Sequence, residues 1–493
     1  MHHSTHHRRA SSPGRYARPG RCARLVLACA ATCAAALGGG AVVHADSSPA
    51  NASSPAPLPA PLPQFAVFPD PSGIFATFNV PGPVDTTNPF FQDLGTNGRR
   101  CVTCHQPQDA WTITPPHVRA RFEQSDGRDP IFRPVDGANC PSADVSNLEA
   151  RHRAYSLLLN KGLIRIQLTP PATAEFTILQ ADNPYGCTDT AAVSVYRRPL
   201  PTVSLPYLST VMWDGRETVK GQSVFDDLLQ QAADATLIHA QAAQAPSAAQ
   251  KLQIVSFEIG LFSAQLRDSE AGALNGAGGQ GGPIPLSQQN FFLGINDPLG
   301  LNPSGAAFTP RIFDLYDAWA TLRGDEDHTA ARQAVARGQA LFNTLSITIT
   351  GVAGLNDVPL PFDNQIHPSI QGNCGTCHDS PNVGDHSLAA PLNIGLADAS
   401  RRTADLPLFT LMNKVTGEIT QTSDPGRALV TGKWADIGKF KGPILRGLAA
   451  RAPYFHNGSA ATLADVVTFY NTRFQLNLTA AQQADLVAFL RTL

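Results

Sequence analysis

Two copies of the motif Cys-x-x-Cys-His constrain this 493-residue chain more than any other feature of its sequence. Their reactive residues are Cys101, Cys104, His105, Cys374, Cys377 and His378. The spacing lets both thiols reach the two vinyl groups of one porphyrin, while the imidazole that follows turns onto the iron. The motifs therefore predict two covalently bound haem c groups, with His105 and His378 as iron ligands.

Two other uses of paired cysteines fit the motifs less well. A redox-active dithiol does not require a histidine directly after both pairs. A four-cysteine zinc site normally has its pairs ~15–20 residues apart, whereas about 270 residues separate these two. The two motifs therefore predict haem attachment, not a dithiol or a zinc site.

Residues 1–45 have the composition of a secretory signal peptide. Several arginines precede an apolar, alanine-rich stretch, and Val43-His44-Ala45 fits a cleavage site. A membrane anchor is the alternative, but the stretch is short for a ~20-residue span and contains Gly38–Gly40. We expect export to the periplasm with cleavage near Ala45, a Pro/Ala/Ser linker over residues 46–64, and no transmembrane segment afterwards.

The net charge argues against nucleic-acid binding, and the remaining cysteines indicate a disulfide. A formal net charge of −2 gives no basic face of the kind that nucleic-acid binding needs. Outside the signal region and the two motifs, only Cys140 and Cys187 are left. Two spare cysteines in an oxidising compartment most simply pair, so we expect a disulfide between them.

The positions of the motifs predict a mainly α fold with two c-type cytochrome domains. We expect an N-terminal haem domain over 65–324, with a large loop/β insertion at 106–195, and a C-terminal haem domain over 325–493. Apolar residues at helical spacing predict helices over 145–163, 223–244, 247–266, 312–320, 332–342, 462–470 and 479–493. Alternating residues over 164–179 predict a pair of strands, and we expect loops over 272–282 and 343–373.

Two further motifs carry a family likeness. They are Met212-Trp213-Asp214-Gly215-Arg216 and Pro453-Tyr454-Phe455-His456-Asn457-Gly458. Both resemble motifs of the bacterial di-haem cytochrome c peroxidases and of their relatives, the MauG-type enzymes. The order also matches, because one motif follows each haem-attachment sequence. The resemblance covers both haem domains but not residues 106–195.

The resemblance implies roles in electron transfer, ion pairing and iron ligation for residues near the haems. Trp213 would lie between the haems and relay electrons, although a buried aromatic that packs the domain junction is the alternative. Arg216 would pair with a carboxylate or a haem propionate. The peroxidases place a Met ligand of the second haem where this chain has Tyr470, as the MauG-type enzymes do. His456 is the alternative ligand, and Met412 is a weaker candidate.

The first haem is expected to have an open distal side, where hydrogen peroxide or dioxygen binds. Peroxide cleavage needs a nearby general acid/base. The family's Glu, about twenty residues after the Trp, has no counterpart here, so we predict His239 for this role. Alternatives are Asp226, Asp227 and Asp234, and His117 is a candidate ligand of a resting state.

The relatives also hold a calcium ion, partly through an Asn before a Pro-Thr pair. This chain has Arg197-Arg198-Pro199-Leu200 before Pro201-Thr202 and no Asn. Calcium is therefore possible, but the sequence argues against it.

Three functions fit these features. The first is a peroxidase fed with electrons by a small redox protein. The second is a MauG-like oxidase or an oxygenase that oxidises an organic or protein substrate. The third is a simple di-haem electron carrier, which would need a strong distal ligand on both irons.

Overall fold

The computed structural model describes residues 61–324 and 327–493 of the chain. The predicted signal peptide at 1–45 and most of the predicted linker at 46–64 lie outside the described residues. Within the described ranges, no helix has the length and apolar character needed to cross a bilayer.

The described residues form eleven α-helices and thirteen β-strands. In chain order, the helices α1 to α11 are Cys101–Cys104, Pro115–Ser125, Leu148–Ala154, Ser156–Lys161, Val224–Ile238, Ala248–Ile259, Pro283–Ser287, Thr329–Thr344, Ala428–Thr431, Leu463–Arg473 and Ala480–Arg491. The strands β1 to β13 are Phe65–Asp70, Gly73–Asn79, Ile164–Leu168, Phe176–Asp182, Val193–Arg197, Leu261–Asp268, Gly272–Ala273, Ile347–Thr350, Pro359–Leu360, Gln365–Ile366, Ser369–Gly372, Leu408–Asn413 and Ile419–Thr422. The fold thus has more strand than a mainly α prediction implies.

Three of the predicted helices begin at the caps that the sequence indicates. The side chains of Ser247, Thr462 and Thr479 each accept a hydrogen bond from a backbone N–H in the first turn. Such caps satisfy donors that have no partner inside the helix. The segment 145–163 is helical but is divided into α3 and α4.

Three predicted helices are wrong in part. The helix expected over 223–244 ends at Ile238. The helix expected over 247–266 ends at Ile259, and the following residues form β6, which pairs with β2. The segment 312–320 holds only a 3-10 turn at Asp317–Thr321. Here side chains of α8 take the backbone N–H groups, because Asn343 accepts from Ile312 and Gln339 accepts from Tyr316.

The strands over 164–179 exist, but they do not pair with each other. β3 pairs with β5, whereas β4 pairs with β12 in a sheet ordered β13-β12-β4. Alternation determines which face of a strand is buried and does not identify its partner. The sheet joins the predicted insertion to the C-terminal part of the chain. Strands β8 to β11 also lie in the segment 343–373 that was expected to be a loop.

Candidate haem-binding cavities

The first Cys-x-x-Cys-His motif forms the wall of a deep cavity. Cys101 and Cys104 begin and end α1, and both thiols are free and partly exposed. Nδ1 of His105 lies 3.0 Å from the carbonyl oxygen of Trp111, so this nitrogen carries the hydrogen. Burial, with repulsion from His239, lowers the pKa of His105 to about 4. A neutral imidazole with a free Nε2 is the form that ligates iron.

The second motif repeats this arrangement at a second cavity. Cys374, Cys377 and His378 line it, and both thiols are again free and partly exposed. Nδ1 of His378 donates to the carbonyl oxygen of Gly384 at 2.7 Å. Burial lowers the pKa of His378. Each motif therefore presents two thiols and one oriented imidazole to a cavity, as haem c requires.

Three cationic side chains also fit a haem group, of which Arg198 and Lys441 are buried and Arg451 is partly buried. Arg198 and Arg451 line the first cavity and Lys441 lines both. Burial lowers their pKa values, to about 10 for the two arginines and about 8 for Lys441. Among the described residues none of the three forms an ion pair, and their hydrogen bonds go to backbone carbonyl oxygens. Buried cations need an anionic partner, and haem propionates would supply one.

Trp213 lies on the wall of both cavities. Its Nε1 donates to the carbonyl oxygen of Arg198 at 2.8 Å, and its own carbonyl oxygen accepts from the Lys441 backbone N–H at 2.9 Å. The ring of His456 meets the indole edge-on, with 6.2 Å between centroids. The indole is therefore held at the junction by contacts from both halves of the chain.

The residue after Trp213 belongs to a buried charge cluster. Asp214 accepts hydrogen bonds from Arg197 and, at 3.2 Å, from Arg216, while Arg197 also makes a two-pronged contact with Asp424 at 2.8 and 2.9 Å. Burial alone would raise the pKa of Asp214, but Arg197 and Arg216 hold it at about 2. The predicted ion pair of Arg216 is present, and Arg216 also lines the first cavity.

Both candidate distal ligands of the second haem line the second cavity. Tyr470 lies on α10, and burial raises the pKa of its phenol. His456 stacks on Phe440 with centroids 3.8 Å apart, and neither of its ring nitrogens has a hydrogen-bond partner. Burial lowers the pKa of His456 to about 4. Met412, in contrast, lies in β12 and does not line this cavity.

His239, the predicted general acid/base, lines the first cavity. Its Nδ1 lies 2.5 Å from Asp136, which is itself paired with Arg99. Burial opposes ionisation of Asp136, but Arg99 and His239 lower its pKa to about 2.

The alternatives to His239 are elsewhere. The side chains of Asp226, Asp227 and Asp234 do not line the cavity. His117 is half-exposed and contacts Asp109, so it is not placed to be a distal ligand.

Glu258 is a cavity residue that no motif in the sequence indicates. It is buried at the end of α6, where Oε1 accepts from the Thr202 hydroxyl at 2.6 Å and Oε2 has no hydrogen-bond partner. Burial raises its pKa to about 7. The available signal was a single acidic residue within the mostly apolar run Ile254–Ile259.

Cavities bounded by haem-attachment motifs are the mark of a c-type cytochrome. Residues 439–476, which include Phe440, His456 and Tyr470, match the family described as RoxA-like, cytochrome c-like. The chain is 32% identical over 133 residues to the cytochrome-c peroxidase IdrP2 of Denitromonas iodatirespirans, covering 25% of this chain and 36% of that protein. It is 34% identical over 122 residues to cytochrome c551 peroxidase of Nitrosomonas europaea, covering 24% and 30%.

The resemblance that the motifs indicate is confirmed, since about a quarter of the chain is similar in sequence to bacterial cytochrome c peroxidases. The matched segments span about a third of the length of these two curated relatives. The disulfide between Cys140 and Cys187 is also confirmed. Among solved structures, a MauG-like protein associated with microbial copper homeostasis aligns over 82% of this chain and 85% of its own, at 16% identity and a TM-score of 0.35.

Proposed function

We propose that each cavity binds one haem c and that the protein is a periplasmic peroxidase-type oxidoreductase. Hydrogen peroxide is activated in the first cavity, and electrons reach it from a small redox protein through the second cavity and Trp213. The observation that carries this proposal is that Trp213 lines both cavities. Each haem, when bound, supplies an iron that exchanges electrons, and an open iron also binds peroxide or dioxygen.

The contacts of Trp213 support a relay role. The hydrogen bond from Nε1 to the Arg198 carbonyl oxygen orients the indole, and the Lys441 backbone N–H fixes the backbone carbonyl of Trp213. His456 and Phe440 continue an aromatic path along the second cavity, since His456 contacts both rings. A fixed aromatic group between two redox centres divides one long electron transfer into two shorter ones.

His239 is the proposed general acid/base of the first cavity. Asp136 accepts from its Nδ1 and orients the ring, which leaves Nε2 to take or give a proton. Glu258 is a second candidate, because its pKa of about 7 leaves it partly protonated under ordinary conditions. The two groups offer a base and an acid on the lining of one cavity.

Tyr470 is the proposed second ligand in the second cavity, with His456 as the alternative. A buried phenol keeps its proton unless a positive charge lies against its oxygen, and a haem iron would provide that charge. Phenolate ligation lowers the iron potential relative to a thioether. This cavity would therefore favour the oxidised state more strongly than a Met-ligated one.

We do not propose a calcium ion beside the haems. Arg197 brings a buried positive charge to the segment where the relatives have their Asn, and its guanidinium contacts both Asp214 and Asp424. A calcium ion bound to these carboxylates would have to displace that guanidinium.

A second candidate function is oxidation of an organic substrate. It is favoured by Tyr470 in the position where the peroxidases have Met. The first cavity also has a mostly apolar lining, with residues such as Leu205, Val211 and Leu228 beside the polar groups. Peroxide or dioxygen would be the oxidant in that reaction.

The proposal is tested by steady-state turnover of the haem-loaded protein. We expect oxidation of a reduced small cytochrome c that depends on hydrogen peroxide. His239→Gln should lower kcat by about a hundredfold, the usual effect of losing a general acid/base, with little change in the KM for the donor. His367→Gln is the matched control, because His367 also contacts an aspartate but lies outside both cavities.

The other outcomes identify the competing functions. Consumption of dioxygen with an organic substrate, and no use of the donor cytochrome, would contradict the peroxidase proposal and support the second candidate. Reversible reduction without turnover of either oxidant would leave an electron carrier.

A further inference from the structure

A second group of metal-ligating side chains lies beside the second cavity. Asp297, Asp379 and His386 are buried, with exposed fractions of 3%, 0% and 4%. One ligand atom from each can be chosen so that all three lie within 4.8 Å of one another. The three residues come from two loops, and His386 also lines the second cavity. None of the three has a role in the haem chemistry proposed above.

The two carboxylates are held so that one oxygen of each is free. Oδ1 of Asp297 accepts from the Leu299 backbone N–H at 2.7 Å, and Oδ1 of Asp379 accepts from the Ser387 backbone N–H at 2.6 Å. Oδ2 of both side chains is buried without a hydrogen-bond partner. Fixing one oxygen and freeing the other is how outer contacts orient a metal-binding carboxylate.

His386 is unpartnered in the same way. Its Nε2 lies 3.2 Å from Oδ2 of Asp297 and its Nδ1 lies 3.5 Å from Oδ2 of Asp379, yet neither contact has hydrogen-bond geometry. A histidine that simply bridged two carboxylates would align an N–H with each oxygen. The two ring nitrogens point in different directions, so one of them can bind an ion that is shared with the two carboxylates.

The charges of these side chains also favour a bound cation. Two buried carboxylates within 4.8 Å repel each other, and one imidazole compensates at most one of the two charges. A divalent cation would compensate this surplus of negative charge.

We propose that Asp297, Asp379 and His386 bind a divalent first-row transition metal of the Zn²⁺ or Mn²⁺ class. One imidazole nitrogen with two carboxylate oxygens suits these ions. Calcium is a poorer fit, because it takes six to eight oxygen ligands. The ion would tie the loop of residues 294–299 to the loop of residues 379–387.

This position gives the ion a structural role. The second loop contains Gly384, whose carbonyl oxygen orients His378, and Asp379 directly follows that histidine. The ion would therefore stabilise the backbone that aims His378 into the second cavity. The structural role towards His378 rests on the proposed haem ligation, whereas the metal site itself does not.

The test is metal analysis of the full-length, haem-loaded protein by inductively coupled plasma mass spectrometry. The protein is dialysed against a chelator, exposed separately to ZnCl₂, MnCl₂ and CaCl₂, and desalted. We expect about one equivalent of zinc or manganese per chain, in addition to haem iron, and at least about a tenfold loss of affinity in Asp297→Asn. Asp363→Asn, which alters an exposed Asp–His contact, should retain the metal.

Three results would overturn the proposal. They are no uptake of zinc or manganese, uptake of calcium alone, and equal binding by the wild type and Asp297→Asn. If the variant does not fold, anomalous scattering at the zinc edge from wild-type crystals decides the question. A peak between the three side chains supports the site, and a featureless map refutes it. Metal content does not depend on peroxide turnover, so failure of this proposal can be told apart from failure of the proposed function.

Discussion

The buried cluster around Arg197 predicts a large loss of stability when Asp214 is replaced by Asn. Asp214 is fully buried, and its pKa of about 2 compares with an ordinary value of 3.8. That shift corresponds to about 2.5 kcal/mol in favour of the charged form. Arg197 keeps its contact with Asp424, so the loss should lie at the lower end of the ~3–5 kcal/mol of a fully broken buried pair. We expect Asp214→Asn to lower the free energy of unfolding by about 3 kcal/mol.

The pH dependence of this effect has a definite sign. Because the pKa of Asp214 is depressed in the folded protein, its stabilisation is complete above about pH 4 and is lost as the pH falls through about 2. The difference between wild type and variant should therefore be constant from pH 5 to pH 8.

The assay is urea unfolding of the haem-loaded protein, followed by circular dichroism. Asp126→Asn is the matched control, because it removes an exposed pair with Arg128 and should change stability by less than about 1 kcal/mol. A loss of under about 1 kcal/mol in Asp214→Asn would refute the reasoning. So would a loss that grows between pH 5 and pH 8.

Three further predictions concern the cavities and the insertion. Tyr470→Phe should alter the ferric absorption spectrum and raise the reduction potential of the second haem, and an unchanged spectrum would exclude Tyr470 as a ligand. Glu258→Gln should remove an inflection near pH 7 from the pH dependence of kcat, since the wild-type carboxyl loses its proton as the pH rises through about 7. An unchanged pH profile of kcat would show that Glu258 does not transfer protons. Replacing Cys140 and Cys187 by Ser should lower the free energy of unfolding by about 4 kcal/mol in urea, because the bond closes a loop of 47 residues, and a loss under about 1 kcal/mol would contradict that reasoning.

Local signals in the sequence predicted much of the site. The residues that Cys-x-x-Cys-His provides for haem attachment are adjacent in the sequence. The motif can therefore be recognised without knowledge of the fold. The caps at Ser247, Thr462 and Thr479 are similarly local, and all three are present. The family motifs located Trp213 and Tyr470, which both line the cavities that the motifs define.

Features that depend on distant parts of the chain were not predictable in this way. The pairing of β4 with β12 joins residues more than two hundred positions apart, and alternation in either strand does not identify the other. Glu258 is likewise recognisable as a cavity residue only when α6 is placed beside Thr202. The group of Asp297, Asp379 and His386 has no motif, because its members come from two loops.

Single-turnover electron transfer through Trp213 tests the central claim most directly. The haem-loaded protein is reduced by one electron per chain and mixed rapidly with hydrogen peroxide, and reoxidation of the second haem is followed in the Soret band. We predict that Trp213→Phe slows this step at least about tenfold, an added barrier of about 1.4 kcal/mol. Trp434→Phe, which changes a tryptophan outside both cavities, should match the wild type. Equal rates in all three proteins would contradict the relay.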